Sequence, residues 1–388
     1  MRIYLDYNAT TPPAAAVIEA VAATLRDEFG NPSSVHSFGQ RAKAALDRAR
    51  GETAALIDAD PAEIVFTSGG SEANNLAIRG VFEARLSSGR NQLVTTGIEH
   101  EAVLSTVRAL EARGADVVVI PATARGVVDA SAVADAISDK TALVSIMLAN
   151  NEIGTVQPVS EIAAACKTRG ALLHTDAVQA AGKIPFSVKT LGADLVSISA
   201  HKFYGPKGAG ALWIRRGVRL TAHTTGGRQE RNRRSGTENL PALVGMGVAA
   251  ALAKADLAAS AASVSHLRDR LEAGILSGVP RTVVNGEGAP RVPNTTNISF
   301  EGIEAESLLI ALDLEGVAVS TGSACSSGSL EPSHVLRAMG LPNNRARNSL
   351  RFSLGASTTQ AEVDFVVGVL PGLVSKLRRL GRTVEAVR

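Results

Sequence analysis

The chain has 388 residues, 45% of them hydrophobic and 20% charged, which supplies apolar material for two ordinary cores. Its 40 Lys and Arg against 37 Asp and Glu leave a formal charge of +3, too small an excess to argue for a nucleic-acid or membrane partner. Two cysteines with no CxxC make neither a disulfide framework nor a zinc site. With no signal-peptide pattern after Met1 and no apolar run of bilayer length, the expectation is a cytoplasmic enzyme.

Helices are predicted over residues 14–27, 40–57, 72–84, 100–113 and 160–168, alternating with strands over 63–67, 92–95, 116–120, 142–147, 171–174 and 194–199. Near-continuous apolar strands spaced by helices point to a mostly parallel sheet covered on both faces. Beyond Pro241 an Ala-rich helical region runs to about Gly278. It is followed by β-like segments at 281–285 and 296–300, a helix at 305–314, a strand at 349–354 and an amphipathic helix over 359–380. The fold class is therefore α/β: a large domain over 13–256, and a smaller α/β domain built from 1–12 and 257–388.

Ligands on such sheets bind beyond the carboxyl ends of the strands. After 63–67 comes Ser68-Gly-Gly-Ser-Glu-Ala-Asn74, a glycine turn into a helix N-terminus. Its free N–H groups and positive dipole end suit a phosphate, although Ser and Gly there are also ordinary capping residues. After 171–174 comes Asp176, either a helix cap or a carboxylate facing a ligand. Opposite a pyridine nitrogen, such a carboxylate would keep the ring protonated and make it an electron sink. After 194–199 comes Lys202, where desolvation turns an amine into a nucleophile toward carbonyls. A surface lysine is the ordinary alternative, and the Asp176 segment one strand unit earlier favours the functional one. Lys207, inside Gly-Pro-Lys-Gly, belongs to an exposed turn.

Cys325 sits in Ser320-Thr-Gly-Ser-Ala-Cys-Ser-Ser-Gly-Ser329, the composition of a loop rather than a core. A thiol kept in such a segment oxidises readily, so its presence points to a sulfur that reacts. Cys166 lies four residues after Ile162 on a helical face and reads as a small buried hydrophobe. The four arginines within 228–234 read as a solvated interface loop. The remaining histidines show no metal-ligand spacing, and His174, inside a strand, is expected to pack.

Taken together, these segments resemble the pyridoxal-phosphate enzymes of the aspartate-aminotransferase type, and more narrowly the cysteine desulfurases of the nitrogenase and housekeeping iron–sulfur type. The resemblance is carried by Tyr4-Leu-Asp-Tyr-Asn-Ala-Thr-Thr-Pro12, Phe29-Gly-Asn-Pro-Ser-Ser34, Glu99-His100, Ala149-Asn-Asn-Glu-Ile-Gly154 and His174-Thr-Asp-Ala-Val-Gln179. It continues through Ser199-Ala-His-Lys202, Arg234-Ser-Gly-Thr-Glu238, Ser323-Ala-Cys-Ser-Ser-Gly-Ser-Leu-Glu-Pro332 and Arg351-Phe-Ser-Leu-Gly355.

The resemblance implies a pyridoxal 5'-phosphate transferase fold and conversion of L-cysteine to L-alanine, with the sulfur left as a persulfide on Cys325. Lys202 would hold the cofactor covalently and move the substrate's protons, with His100 stacked on the ring. Asp176 would face the ring nitrogen, Gln179 the ring hydroxyl, and Asn151 the cofactor and substrate. The phosphate would be bound by Gly70, Ser71, Ser199 and His201, with Thr237 reaching it from the other subunit of a homodimer. Arg351 would bind the substrate carboxylate. A sulfur-acceptor protein such as an iron–sulfur scaffold is the implied partner, and Cys325 would be at most a transient cluster ligand beside it. No resident metal is expected.

Two departures stand out: the family often has Ala-Thr at Gly70-Ser71 and Gly at Ala200. The ending Glu385–Arg388 also departs from the tail that housekeeping members use in scaffold docking, so the scaffold interaction, or at least its geometry, is not expected to follow theirs. A selenocysteine lyase or an aminotransferase of the same fold would need Lys202 but no loop thiol.

Overall fold

The computed structural model describes residues 2–322 and 332–387. A short β1 (Ile3–Tyr4) precedes α1 (Ala15–Asp27) and α2 (Ser37–Leu56). The alternating region then runs through β2 (Ile64–Thr67), α3 (Gly70–Leu86), β3 (Gln92–Thr96), α4 (Glu101–Glu111), β4 (Asp116–Ile120) and α5 (Ala130–Ala136). It continues with β5 (Thr141–Ser145), α6 (Val159–Arg169), β6 (Leu172–Asp176), α7 (Val188–Leu191), β7 (Leu195–Ser199) and β8 (Gly210–Ile214). The long α8 (Leu240–Gly278) leads to β9 (Thr282–Val284), β10 (Thr295–Phe300), α9 (Ala305–Leu314) and β11 (Val317–Ala318). After α10 (His334–Ala338) and α11 (Asn343–Arg347), β12 (Ser349–Ser353) and α12 (Gln360–Val387) follow.

Seven strands form one sheet in the order β2-β8-β7-β6-β5-β3-β4. Pairing is antiparallel only on the two sides of β8, so the other six strands run in one direction. Strand periodicity divides the apolar residues between two cores. Phe66, Val94, Val144 and Val196 enter one, while their chain neighbours Val65, Leu93, Leu143 and Leu195 enter the other. Strand β8 has no clear sequence signal, because Gly208-Ala-Gly210 looks like continued turn. Gly210 is required there: a Cβ would lie 2.6 Å from the Gly69 backbone.

A second apolar body packs the sheet β12-β10-β9 and the parallel pair β1-β11 against α9, α12 and the latter part of α8. Asp6 also bridges to Ser353, so the N-terminal segment is stitched into this body. Residues Leu243, Met246 and Ala250 of α8 pack in the first body, and Leu267, Leu271 and Ile275 in the second. One expectation needs correcting: at 39 residues, α8 is long and apolar enough to cross a bilayer by length and composition. Its alanines supply much of that apolar character, and its large buried side chains belong to the two cores, while Leu252 and Leu276 stay exposed.

Chain order reverses between β3 and β5: β4 lies to one side of β3, whereas β5, β6 and β7 proceed to the other. At such a switch point the carboxyl edge of an α/β sheet is where ligands bind.

Candidate active site

Asp176 is the last residue of β6, which runs two residues past the strand end expected at His174, and it is 5% exposed. Its Oδ2 accepts from Asn74 Nδ2 at 2.7 Å and its Oδ1 from the Val178 N–H at 2.9 Å. Each oxygen keeps lone-pair capacity for another donor, and α3 and the β6 loop fix its direction.

Lys202 closes a short turn after β7, and its Nζ donates to the Asn8 carbonyl at 2.6 Å and the Ala9 carbonyl at 2.8 Å. Gln179 Nε2 donates to the same Asn8 carbonyl at 3.0 Å. The Asn8 side chain donates to the Asn151 carbonyl at 3.1 Å, and that carbonyl also accepts from Arg351 Nη1 at 2.9 Å. Asn8 therefore ties Lys202, Gln179 and Asn151 together, with Arg351 one bond further.

At the phosphate-like end, α3 begins at Gly70 with Ser71 exposed beside it. A Cβ on Gly70 would lie 2.8 Å from Val178 Cγ2, so the alanine common in the family would have to displace Val178 here. Ser199 faces the same turn, and its Oγ is buried with no hydrogen-bond partner. His201 Nδ1 meets the Thr10 hydroxyl at 3.1 Å. Burial, then the charges of Lys202, Lys207 and Lys183, push His201 down to about 4, so its imidazole is neutral at pH 7.

His100 caps α4, its Nδ1 accepting from the Ala102 N–H at 3.0 Å. It lines a cavity of about 390 Å³ together with Ser71, Asn75 and Arg79. The preceding Glu99 is fully buried, with Oε1 accepting from Thr96 and Met147 and Oε2 unpartnered. Burial pushes its carboxyl up to about 8, opposed by the Met147 N–H and assisted by the charge of Asp176.

Thr237 is exposed ahead of α8 and makes no contact with this cluster among the described hydrogen bonds. Arg351 is buried, but its fork is not open: Nη2 is paired with Asp6 at 2.6 Å, and Nε has no partner. Cys325 lies outside the described residues.

Outside the site, Cys166 is 2% exposed in the first core, with burial pushing its thiol up to about 12. His174 packs between Ser145 and Ser197, and burial lowers it to about 3. Lys207 is exposed. The 228–234 segment departs from its reading as a solvated loop, since Glu230 within it is 6% exposed and paired with Arg50. Asn8, Asn74, Glu99 and Lys183 were not singled out from the sequence. Asn8 and Glu99 lie inside quoted motifs, and Lys183 stands four residues after Gln179.

A buried acid at one strand end, a lysine at the next and a glycine-initiated helix beside them define an enzyme of the pyridoxal-phosphate transferase fold. The chain matches the family model described as aminotransferase class V over residues 3–366, and it belongs to that family. Its relatives there are cysteine desulfurases. It is 48% identical over 378 residues to the cysteine desulfurase of Trichormus azollae, covering 97% of this chain and 94% of the relative. To the cysteine desulfurase IscS of Methanosarcina thermophila it is 47% identical, covering 97% and 93%. Among solved structures, a NifS-like protein aligns with a TM-score of 0.91 at 37% identity, covering 97% of this chain and all of that one, or 100%. The fold and family expected from the sequence are those found.

Proposed function

We propose that this enzyme is a cysteine desulfurase that removes the sulfur of L-cysteine with pyridoxal 5'-phosphate as its cofactor and releases L-alanine. The observation that carries the reading is Lys202, held at the end of β7 by two carbonyls, with Asp176 buried at the end of neighbouring β6.

The residues fit the cofactor. Ser199 Oγ is a buried hydroxyl without a partner, beside the free amides at the start of α3. These, with Ser71 and neutral His201, make a donor set suited to a phosphate. Asp176 would hold the ring nitrogen, Gln179 the ring hydroxyl, and His100 the ring face. When bound, the cofactor supplies an electron sink that stabilises charge developing at the substrate's Cα.

The chain's own residues do the rest. Lys202 Nζ takes and returns the Cα proton, which requires an amine held in reach, and its two carbonyl partners hold it. Arg351 Nε has an unused N–H for the substrate carboxylate, which would share Nη2 with Asp6. The thiolate of Cys325 then takes the substrate's sulfur: an S–S bond forms and the C–S bond breaks. The electron pair stays on the substrate carbon, a proton returns there, and alanine leaves.

The reading includes a homodimer, supported by the exposed position of Thr237 and by Leu25, Phe29 and Val35 at 64%, 72% and 89% exposure. It also includes a protein acceptor for the sulfur in iron–sulfur cluster assembly, in the cytoplasm. Incubation with cysteine and a reductant, assaying alanine and sulfide together, tests it. Equal yields are expected; 3-mercaptopyruvate formed without sulfide would favour an aminotransferase.

A further inference from the structure

Lys183 is a lysine that the proposed chemistry leaves without a task. It follows Gly182, whose φ of 72° sets the turn; a Cβ there would lie 2.8 Å from Phe203 Cβ. The stem of Lys183 remains partly accessible, while its amine end is enclosed by protein. Since hydration acts on the charge, the enclosed end decides the electrostatics. Burial, with Lys202 and Arg351 nearby, pushes the amine well below the usual lysine range.

Its contacts are specific. Nζ donates to Asn8 Oδ1 at 2.8 Å and to Gln179 Oε1. These two acceptors take up two of its N–H groups. Lys183 and Lys202 also line one small cavity of about 30 Å³, with Tyr7, Tyr204 and Asn294.

An amide side chain can turn over and exchange its oxygen for its nitrogen. Lys183 takes that freedom from two amides at once. By donating to Gln179 Oε1 it leaves Nε2 as the end facing the Asn8 carbonyl. By donating to Asn8 Oδ1, which also accepts from Asn294 Nδ2 at 3.0 Å, it helps leave Nδ2 for the Asn151 carbonyl and for Thr295 Oγ1, at 3.1 and 2.8 Å. The Asn8 carbonyl so placed is the one that holds Lys202.

We propose that Lys183 is a positioning residue for this site, fixing Gln179 as a hydrogen-bond donor and Asn8 as the support of Lys202. The proposal rests on the cofactor reading above, with Gln179 presented to the ring hydroxyl.

The test is a double-mutant cycle on the affinity of the full chain, freed of cofactor, for pyridoxal 5'-phosphate. Lys183→Met should weaken binding about tenfold, the worth of one well-placed buried hydrogen bond. In a Gln179→Ala background the same change should cost less than about twofold, because Gln179 is gone and Asn294 still donates to Asn8 Oδ1. Lys183→Gln, which keeps a donor, should recover part of the loss and serves if the methionine variant does not fold. Wild-type affinity in Lys183→Met, or losses that multiply in the double variant, would overturn the proposal. The two readings fail separately: a wild-type chain that binds the cofactor yet makes no alanine overturns the desulfurase reading and leaves this coupling intact.

Discussion

Glu230 accepts from both terminal nitrogens of Arg50, at 2.6 and 2.8 Å, and from the Phe66 N–H at 2.9 Å, so a buried fork joins strand β2 to the loop ahead of Thr237. The loop needs such an anchor. Glu230, Arg231 and Asn232 have φ of 44°, 56° and 62°, a left-handed run of non-glycine residues costing roughly 1–2 kcal/mol each. Arg50 also stacks on Phe66, 4.5 Å from the ring centroid. Arg234 pairs with Glu72 in the first turn of α3 at 2.7 Å, tying the same loop to the phosphate-like end.

Arg50→Met should therefore destabilise the fold by roughly 3–5 kcal/mol, because Glu230 is left charged and buried without its partner. Arg50→Met with Glu230→Gln should recover part of that. Urea unfolding measures both, and a loss under about 1 kcal/mol in the single variant would show that the pair is not what holds the loop.

Lys202→Ala should still fold but acquire no covalent cofactor. The check is reduction with borohydride in the presence of pyridoxal 5'-phosphate, then peptide mass mapping. A tag on the Lys202 peptide is expected in the wild type and no tag at Lys183 in the variant. A wild-type tag on the Lys183 peptide instead of the Lys202 peptide would mean that the buried amine, not Lys202, meets the cofactor aldehyde.

Asp176→Ala should bind the cofactor more weakly and lose most turnover, since nothing would hold the ring nitrogen protonated. Each pKa unit lost there is worth about 1.4 kcal/mol between the two charge states. The variant should also unfold more easily, because the Asn74 amide loses its buried acceptor. Alanine production at the wild-type rate would reduce Asp176 to a cap on the Val178 N–H.

Glu99 gives a pH prediction. Its folded value of about 8 lies above the ordinary carboxyl value of 4.5, so between these the folded state keeps a proton that the unfolded chain releases. Its contribution to stability is thus fully present below about pH 4.5 and declines as pH rises toward 8, by up to about 1.4 kcal/mol per unit. Glu99→Gln removes that slope. Unfolding free energies at pH 5.5 and 7.5 should show the wild type losing stability relative to the variant, and parallel profiles would mean that Glu99 is ionised in the fold.

What the sequence made legible follows a physical division. Lys202 and Asp176 stand out because each ends an apolar strand, where a charged residue breaks a local pattern. Asn8, Lys183 and Asn74 break none. Their importance lies in contacts spanning 175 and 102 residues of chain, which periodicity cannot register. Glu230 misled in the opposite way, since its neighbours Arg228, Arg231, Arg233 and Arg234 make the segment look solvated. Only the fold shows Arg50 waiting for it. Strand β8 was missed because its glycine serves close approach to Gly69, a tertiary demand that reads locally as a turn.

The last prediction separates desulfuration from the other reactions of this fold. Cys325→Ser should bind the cofactor as the wild type does, because every residue assigned to the cofactor lies elsewhere in the chain. It should nevertheless yield almost no sulfide or alanine from cysteine. A hydroxyl is far less acidic than a thiol and a weaker nucleophile, so it cannot take the sulfur. Cys166 offers no substitute: it is buried, and its thiol is pushed up to about 12, leaving almost no thiolate at pH 7. Wild-type protein treated briefly with cysteine should gain one sulfur on the Cys325 peptide, removable by a reductant. Mass spectrometry reads both statements. Wild-type turnover in the serine variant, or the added sulfur on the Cys166 peptide, would remove Cys325 from the mechanism.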